Sequence, residues 1–136
     1  MSTENNPEQL YNNSVQILTD LIAFKTISGE DNSPLIDYCD NILKKLGASS
    51  FRTFDDEKKR VNLFATLKAK NSNNKKPIIL SGHTDVVPVS KGWSSDPFTA
   101  TIKDNKLYGR GSCDMKGFIA CTLAYAPIYS KSNLDR

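Results

Sequence analysis

The residues best suited to chemistry are the chain's only histidine, His83, and two aspartates that follow it, Asp85 and Asp114. In an extended segment, side chains two residues apart point to the same side, which brings Asp85 beside His83. A neutral imidazole binds zinc through one nitrogen while a carboxylate fixes its other N–H group. His83 and Asp85 therefore suit a metal centre.

Asp114 lies thirty-one residues after His83, in a turn that contains Gly109 and Gly111 and joins an expected strand to an expected helix. A carboxylate presented there could bridge two cations, because each of its oxygens can take one metal ion. Asp114 also suits the N-cap of the helix that follows it. His83 could likewise be an ordinary surface or core histidine. The residues alone leave these alternatives open.

Other chemistries fit the same stretch poorly. A dinucleotide-binding loop that began at Gly109 would need a third glycine at position 114, which is an aspartate. Lys116-Gly117 does not have the spacing of a phosphate-binding loop. Cys113 with His83 would make a nucleophile–base pair, but the neighbouring carboxylate disfavours a thiolate. We expect Cys113 to be a small packing residue.

Composition narrows the class of protein. The 136 residues carry a mild net charge of +3, and the lysines are scattered rather than clustered with aromatics, so no nucleic-acid partner is expected. No apolar run approaches the ~20 residues of a membrane helix, and residues 1–6 do not resemble a signal peptide. We therefore expect a cytoplasmic protein without a membrane partner.

The three cysteines, Cys39, Cys113 and Cys121, form no Cys-x-x-Cys pair and are odd in number. This pattern argues against a disulfide framework and against a cysteine-rich zinc site. We expect all three to be reduced and at least partly buried. Trp93, in the loop between the two motifs, is expected to pack on the sheet, with an aromatic wall beside the site as the alternative.

Two helices are expected in the first third of the chain. Asn6 suits an N-cap, Pro7 the first helical position and Gln9 the third position of a capping box. A second helix is expected to begin by the same logic at Ser33 and to end at Gly47 in the left-handed conformation.

Strands and a last helix are expected to follow. Residues 61–67 are β-rich, and residues 77–80 form a continuous apolar run typical of a strand buried in a parallel sheet. Residues 99–102 and 106–108 are expected to pair around the turn Asp104-Asn105. Residues 115–126 form an apolar helix whose end Pro127 disturbs. This alternation predicts one α/β unit with its site beyond the carboxyl ends of the strands.

Together these stretches resemble the metal-dependent amidohydrolases that include acetylornithine deacetylase and succinyl-diaminopimelate desuccinylase. The matching segments are residues 80–88, 92–98 and 106–118. Within the last of them, the motif Cys-Asp-Met-Lys-Gly-Phe is more similar to acetylornithine deacetylase than to the desuccinylase. The resemblance implies the N-terminal part of a three-layer α/β/α zinc-hydrolase catalytic domain with a mostly parallel central sheet.

The resemblance also implies roles for single residues. His83 is expected to bind one metal ion, Asp85 to act as its catalytic partner, and Asp114 to bridge two divalent ions, Zn²⁺ or Co²⁺. It implies a cis peptide bond between Asp114 and Met115. The substrates implied are N-acyl amino acids, in arginine biosynthesis for acetylornithine, with succinyl-diaminopimelate or a dipeptide as alternatives.

The chain departs from the family after Asp114. Family members place a Glu-Glu pair there, which supplies the general base and a ligand, then further ligands and a lid-like dimerisation domain. Here the only later acidic residue is Asp135. We therefore expect residues 1–136 to form a single, incomplete unit that is inactive and poorly soluble alone and completed by a C-terminal fragment. The alternatives are a non-catalytic remnant of a broken gene and a small binding module.

Overall fold

The computed structural model describes residues 6–68 and 76–132. The helices and strands, in chain order, are α1 (Pro7–Ala23), α2 (Ser33–Lys45), β1 (Ser49–Phe54), β2 (Val61–Thr66), β3 (Thr101–Lys103), β4 (Lys106–Tyr108) and α3 (Gly117–Lys131). A wide helical turn, Ser112–Lys116, leads into α3 and is interrupted by non-helical backbone at two residues. No helix in the described part is long and apolar enough to cross a membrane.

The start of α1 follows the prediction except for the capping box. Asn6 Oδ1 accepts a hydrogen bond from the Glu8 backbone N–H at 3.0 Å, and Pro7 is the first helical residue. Gln9 instead donates its side-chain amide to Asn13 Oδ1 at 2.9 Å. The predicted capping box is therefore wrong, because Asn6 Oδ1 accepts from the N–H of the second helical residue, Glu8, and not from that of the third, Gln9.

The start of α2 is tied to β2 as well as to its own first turn. The exposed backbone N–H of Ser33 donates to Asp31 Oδ1 at 2.8 Å. Asp31, and not the predicted Ser33, therefore supplies the side-chain acceptor at the start of this helix. Asn32 exchanges two hydrogen bonds with the Val61 backbone, at 2.7 and 3.0 Å. The predicted end is confirmed, since Gly47 has a φ of +83° just beyond the helix.

Both strand pairs of the described residues are antiparallel hairpins. β1 pairs with β2 from Ser49 opposite Thr66 to Phe54 opposite Val61. β3 pairs with β4 around a two-residue turn in which Asp104 and Asn105 have φ of +51° and +57°. Two positive φ angles define the predicted type I′ turn, which is confirmed. β2 is confirmed with its end at residue 66, whereas β1 was not predicted.

The core lies where the three long helices meet β2. Its fully buried members are the apolar residues Leu21, Leu35, Ile36, Cys39, Val61, Ala120 and Leu123. α3 continues to Lys131 and contains Pro127, so the predicted end at residue 126 is wrong. A proline removes one backbone hydrogen bond, and the burial of Ala120, Leu123 and Ala126 keeps the helix in place.

The apolar segment at residues 77–80 differs most from its predicted state. Ile78 and Ile79 are 70% and 68% exposed, and the segment belongs to neither hairpin. A strand of this kind is buried only when it has neighbours on both sides and cover on both faces. The described residues supply neither the neighbouring strands nor the cover. The fold mixes helices and strands as predicted, but its paired strands are short and antiparallel and form no parallel sheet within the described residues. Within residues 6–68 and 76–132, a single isolated bridge lies outside the strands; it joins Ile27 to Val86 and is parallel.

The cysteines follow the prediction only in part. Cys39 is buried in the core, whereas Cys113 and Cys121 are exposed. All three are free thiols. The predicted burial and packing role of Cys113 is therefore wrong, because the turn that carries it lies on the surface.

Candidate metal centre

The segment that carries His83 is held by the loop after α1. Thr26 accepts a hydrogen bond from the Val86 N–H at 2.8 Å and donates its hydroxyl to the Thr84 carbonyl at 2.6 Å. Ser28 donates its backbone N–H to the Val86 carbonyl at 2.9 Å. These bonds hold residues 84–86 extended on both sides of Asp85.

The turn that carries Asp114 approaches the same segment closely. Gly111 has a φ of +81°, and a Cβ atom there would lie 2.6 Å from Val86 Cγ1. The Lys116 N–H donates to the Gly111 carbonyl at 2.9 Å, which closes the turn. The peptide bond between Asp114 and Met115 is cis, as the resemblance implied. Asp114 lies before the first turn of α3 and does not cap it.

These two segments place the His83 imidazole between two carboxylates. His83 Nε2 lies 3.0 Å from Asp114 Oδ1. His83 Nδ1 lies 3.2 Å from Asp85 Oδ1 and 3.1 Å from the Asp85 carbonyl oxygen. The Ser28 hydroxyl donates to Asp85 Oδ2 at 2.5 Å. The structure thus brings together all three predicted site residues, and both nitrogens of the proposed base for Cys113 are engaged elsewhere.

The local charges perturb two of these groups. Desolvation alone would lower the pKa of His83, but the hydrogen bonds and charges of Asp114 and Asp85 raise it above its ordinary value. The hydrogen bond from Ser28, with the His83 charge, lowers the pKa of Asp85. Both ring nitrogens of His83 therefore face a carboxylate, and a metal ion at Nε2 would need that nitrogen without its proton.

The geometry fits part of a metal site. Two donors of a tetrahedral zinc ion, at bond lengths near 2.0–2.1 Å, lie roughly 3.3 Å apart. The 3.0 Å between His83 Nε2 and Asp114 Oδ1 is close to that separation. The described residues contain no group of three or more histidine, cysteine or acidic side chains able to hold a metal ion. They therefore offer two ligands, fewer than the three that catalytic zinc normally takes from the protein.

A shallow cleft of about 270 Å³ opens at the site, lined by His83, Asp85, Val86, Val87 and residues 109–114. Arg110 lies at its edge, where the guanidinium stacks on Trp93 with 5.2 Å between the guanidinium carbon and the ring centroid. The backbone N–H of Arg110 donates to the Pro97 carbonyl at 2.6 Å. The loop that contains Trp93 therefore packs against a residue of the cleft wall.

Sequence reasoning missed three residues that hold the site. They are Ser28 on Asp85, Asn32, which donates to Thr84 Oγ1 at 3.1 Å, and Lys116. Lys116 is fully buried, and burial lowers its pKa to about 8. The only signal for Lys116 in the sequence is a charge at the start of an otherwise apolar helix.

Comparison with known proteins identifies the family. Residues 79–136, which include His83, Asp85 and Asp114, match the pattern described as Peptidase family M20/M25/M40. The chain therefore carries a Peptidase M20 domain over residues 79–136. This match confirms the resemblance seen in the sequence. The structure of human carnosine dipeptidase 1 superposes on 90% of this chain with a TM-score of 0.70 and 23% identity, which shows the shared fold.

Curated relatives that are similar to this chain carry two names. The succinyl-diaminopimelate desuccinylase of Rickettsia akari is 41% identical over 88% of the chain and 32% of its own length. The acetylornithine deacetylase of Myxococcus xanthus is 43% identical over 78% of the chain and 28% of its own length. The chain thus spans about a third of the length of the curated relatives it matches.

Proposed function

We propose that this chain supplies part of the metal centre of an M20 amidohydrolase that removes the acyl group from N-acyl amino acids. The observation that carries the proposal is the placement of His83 Nε2 at 3.0 Å from Asp114 Oδ1, with Asp85 on the other ring nitrogen. The match of residues 79–136 to a family whose enzymes are generally dinuclear supports it.

Each residue has a separate part in this proposal. His83 would hold one divalent ion through Nε2, while Asp85, itself oriented by Ser28, would fix the Nδ1 proton and the ring. Asp114 Oδ1 lies beside His83 Nε2, and Asp114 Oδ2 has no hydrogen-bond partner among the described residues, so Asp114 would also be able to hold a second ion. Bound Zn²⁺ or Co²⁺ would activate water and polarise the substrate amide.

We propose that the remaining ligands and the general base come from a further polypeptide segment. On this proposal residues 1–136 form the N-terminal portion of a catalytic domain, and a complementing segment completes both the site and the sheet. The exposure of Ile78, Ile79 and Leu80 supports this, because an apolar strand of this kind is stable when neighbouring strands cover it.

Acetylated and succinylated amino acids are both candidate substrates. The names of the two relatives point to acetylornithine and succinyl-diaminopimelate, and their identities to this chain are nearly equal. The motif Cys-Asp-Met-Lys-Gly-Phe around Asp114 favours acetylornithine as the substrate. A cytoplasmic location stays a prediction.

A chimaera tests the proposed function. This chain would replace the aligned segment of the Myxococcus xanthus acetylornithine deacetylase, and hydrolysis of acetylornithine and succinyl-diaminopimelate would be measured. We expect activity that His83→Ala and Asp114→Asn abolish and that Asp104→Asn, a carboxylate change in the β3–β4 turn, leaves unchanged. A folded chimaera without activity, or with activity insensitive to His83→Ala, would contradict the proposal and favour a non-catalytic binding module.

A further inference from the structure

Lys116 is a charged side chain in an unusual place. It is fully buried, and its Nζ donates to the backbone carbonyls of Leu21 and Phe24 at 2.8 and 2.7 Å. It forms no ion pair with an acidic side chain in the described ranges. Burying an ammonium group is unfavourable unless it is hydrogen-bonded and its charge is matched. The partners of Lys116 therefore show what it is built to hold.

The partners lie at the C-terminal end of α1. Helix C-termini carry partial negative charge and leave their last carbonyls without intrahelical partners. The last turn of α1 contains no basic residue of its own. Lys116 supplies the matching positive charge from a position more than ninety residues further along the chain. This contact fixes the turn Ser112–Lys116 against α1.

The same end of α1 also positions His83. The chain leaves α1 through Thr26 and Ser28, which hold residues 84–86 and the Asp85 carboxylate. One scaffold thus carries both halves of the site. Thr26 and Ser28 attach the histidine segment to it, and Lys116 attaches the aspartate turn.

The aliphatic part of Lys116 fixes the turn from a second side. A Cβ atom at Gly111 would lie 3.3 Å from Lys116 Cδ and 2.6 Å from Val86 Cγ1. Gly111 is therefore packed between the lysine stem and the segment after Asp85. The turn between these contacts carries Asp114.

The geometry points to Lys116 as a positioning residue that sets the distance between Asp114 and His83 by locking the aspartate turn to the C-terminal end of α1. The inference rests on the proposed function, because its value lies in placing two metal ligands. A purely structural lysine would stabilise α1 without affecting the separation of His83 Nε2 and Asp114 Oδ1.

The test compares Lys116→Met, which keeps the side-chain length and removes the charge, with Leu123→Ala, which lowers stability from within the core. Two properties are measured on tag-free protein. The first is the ¹⁵N chemical shift of the His83 ring without metal, unambiguous because the chain has one histidine. The second is the dissociation constant for Co²⁺. Lys116→Arg, which keeps a donor and a charge, serves as the conservative variant.

We expect Lys116→Met to move the His83 resonance and to weaken Co²⁺ binding on the order of 10-fold or more. Lys116→Arg should restore part of both, and Leu123→Ala should change neither in the folded protein. A folded Lys116→Met protein with unchanged resonance and affinity would overturn the inference. So would failure of both lysine variants to fold, which would assign Lys116 to stability alone.

The two readouts separate this inference from the proposed function. If the unaltered chain binds no Co²⁺, the proposed metal site fails, and the metal-free His83 resonance still tests whether Lys116 sets the geometry. If the unaltered chain binds Co²⁺ and Lys116→Met binds it equally well, the metal site stands and the role of Lys116 falls.

Discussion

Replacing Gly111 by alanine should destabilise the protein more than the same change at Gly47. The two glycines have nearly the same backbone angle, with φ of +81° and +83°. A Cβ atom at Gly47 has nothing within 4 Å, whereas at Gly111 it would lie 2.6 Å from Val86 Cγ1. The pair therefore separates backbone strain from steric overlap.

The magnitudes follow from these two contributions. A left-handed conformation costs an alanine about 1–2 kcal/mol, and both variants carry that cost. Overpacking of a closely packed contact adds about 1–3 kcal/mol at Gly111 alone. The smaller entropy of the unfolded alanine chain stabilises both variants equally and cancels in their difference. Gly111→Ala should thus lose about 1–3 kcal/mol more unfolding free energy than Gly47→Ala.

Urea unfolding at 25 °C, followed by circular dichroism, measures this difference. The slope of the unfolding free energy against urea should be unchanged in both variants, so that the midpoints report stability. Equal losses in Gly111→Ala and Gly47→Ala would refute the close packing of the aspartate turn on the segment after Asp85.

Three further predictions concern charge, the site and the surface. Burial would raise the pKa of Asp40, but hydrogen bonds from Lys44 and Arg52 outweigh it and lower the pKa to about 2. Asp40 should therefore contribute about 2 kcal/mol to the free energy of unfolding above pH 4, and this contribution should be lost as the pH falls toward 2. Acid unfolding curves of Asp40→Asn should lack this pH-dependent loss. Asp85→Asn should weaken Co²⁺ binding about 10–100-fold in calorimetric titrations, and unchanged affinity would contradict its role on His83. Ile79→Lys should reduce self-association in sedimentation experiments, because the lysine interrupts an exposed apolar segment. Ser95→Lys, which adds the same charge at an exposed polar site, should reduce self-association less.

Local chemistry made the two-residue turn and the site motif predictable. Asp104-Asn105 fixes a type I′ turn because both residues tolerate positive φ, and the structure has it. His83 and Asp85 meet because residues two apart in an extended segment share a side. The pairing of His83 with Asp114 came from the resemblance to a family, since thirty-one residues of intervening chain give no local rule.

Most features that were missed or wrongly predicted from the sequence depend on contacts between residues far apart in the chain. Lys116 bonds to residues more than ninety positions away, and Ser28 bonds to Asp85 across fifty-seven. Residues 77–80 have the composition of a buried strand, but burial depends on neighbours that the described residues do not supply. The N-cap of α1 shows the same limit over a short distance, because the Asn6 side chain can accept from the second or the third N–H of the helix and the sequence does not rank them.

Thermal unfolding across a Zn²⁺ titration, with His83→Ala beside the unaltered chain, tests the metal site most directly. A ligand that binds only the folded state raises the unfolding temperature as its concentration passes the dissociation constant. We predict a Zn²⁺-dependent rise that His83→Ala abolishes and that Asp104→Asn retains. An equal rise in His83→Ala, or no rise in the unaltered chain, would contradict the assignment of His83 and Asp114 as metal ligands.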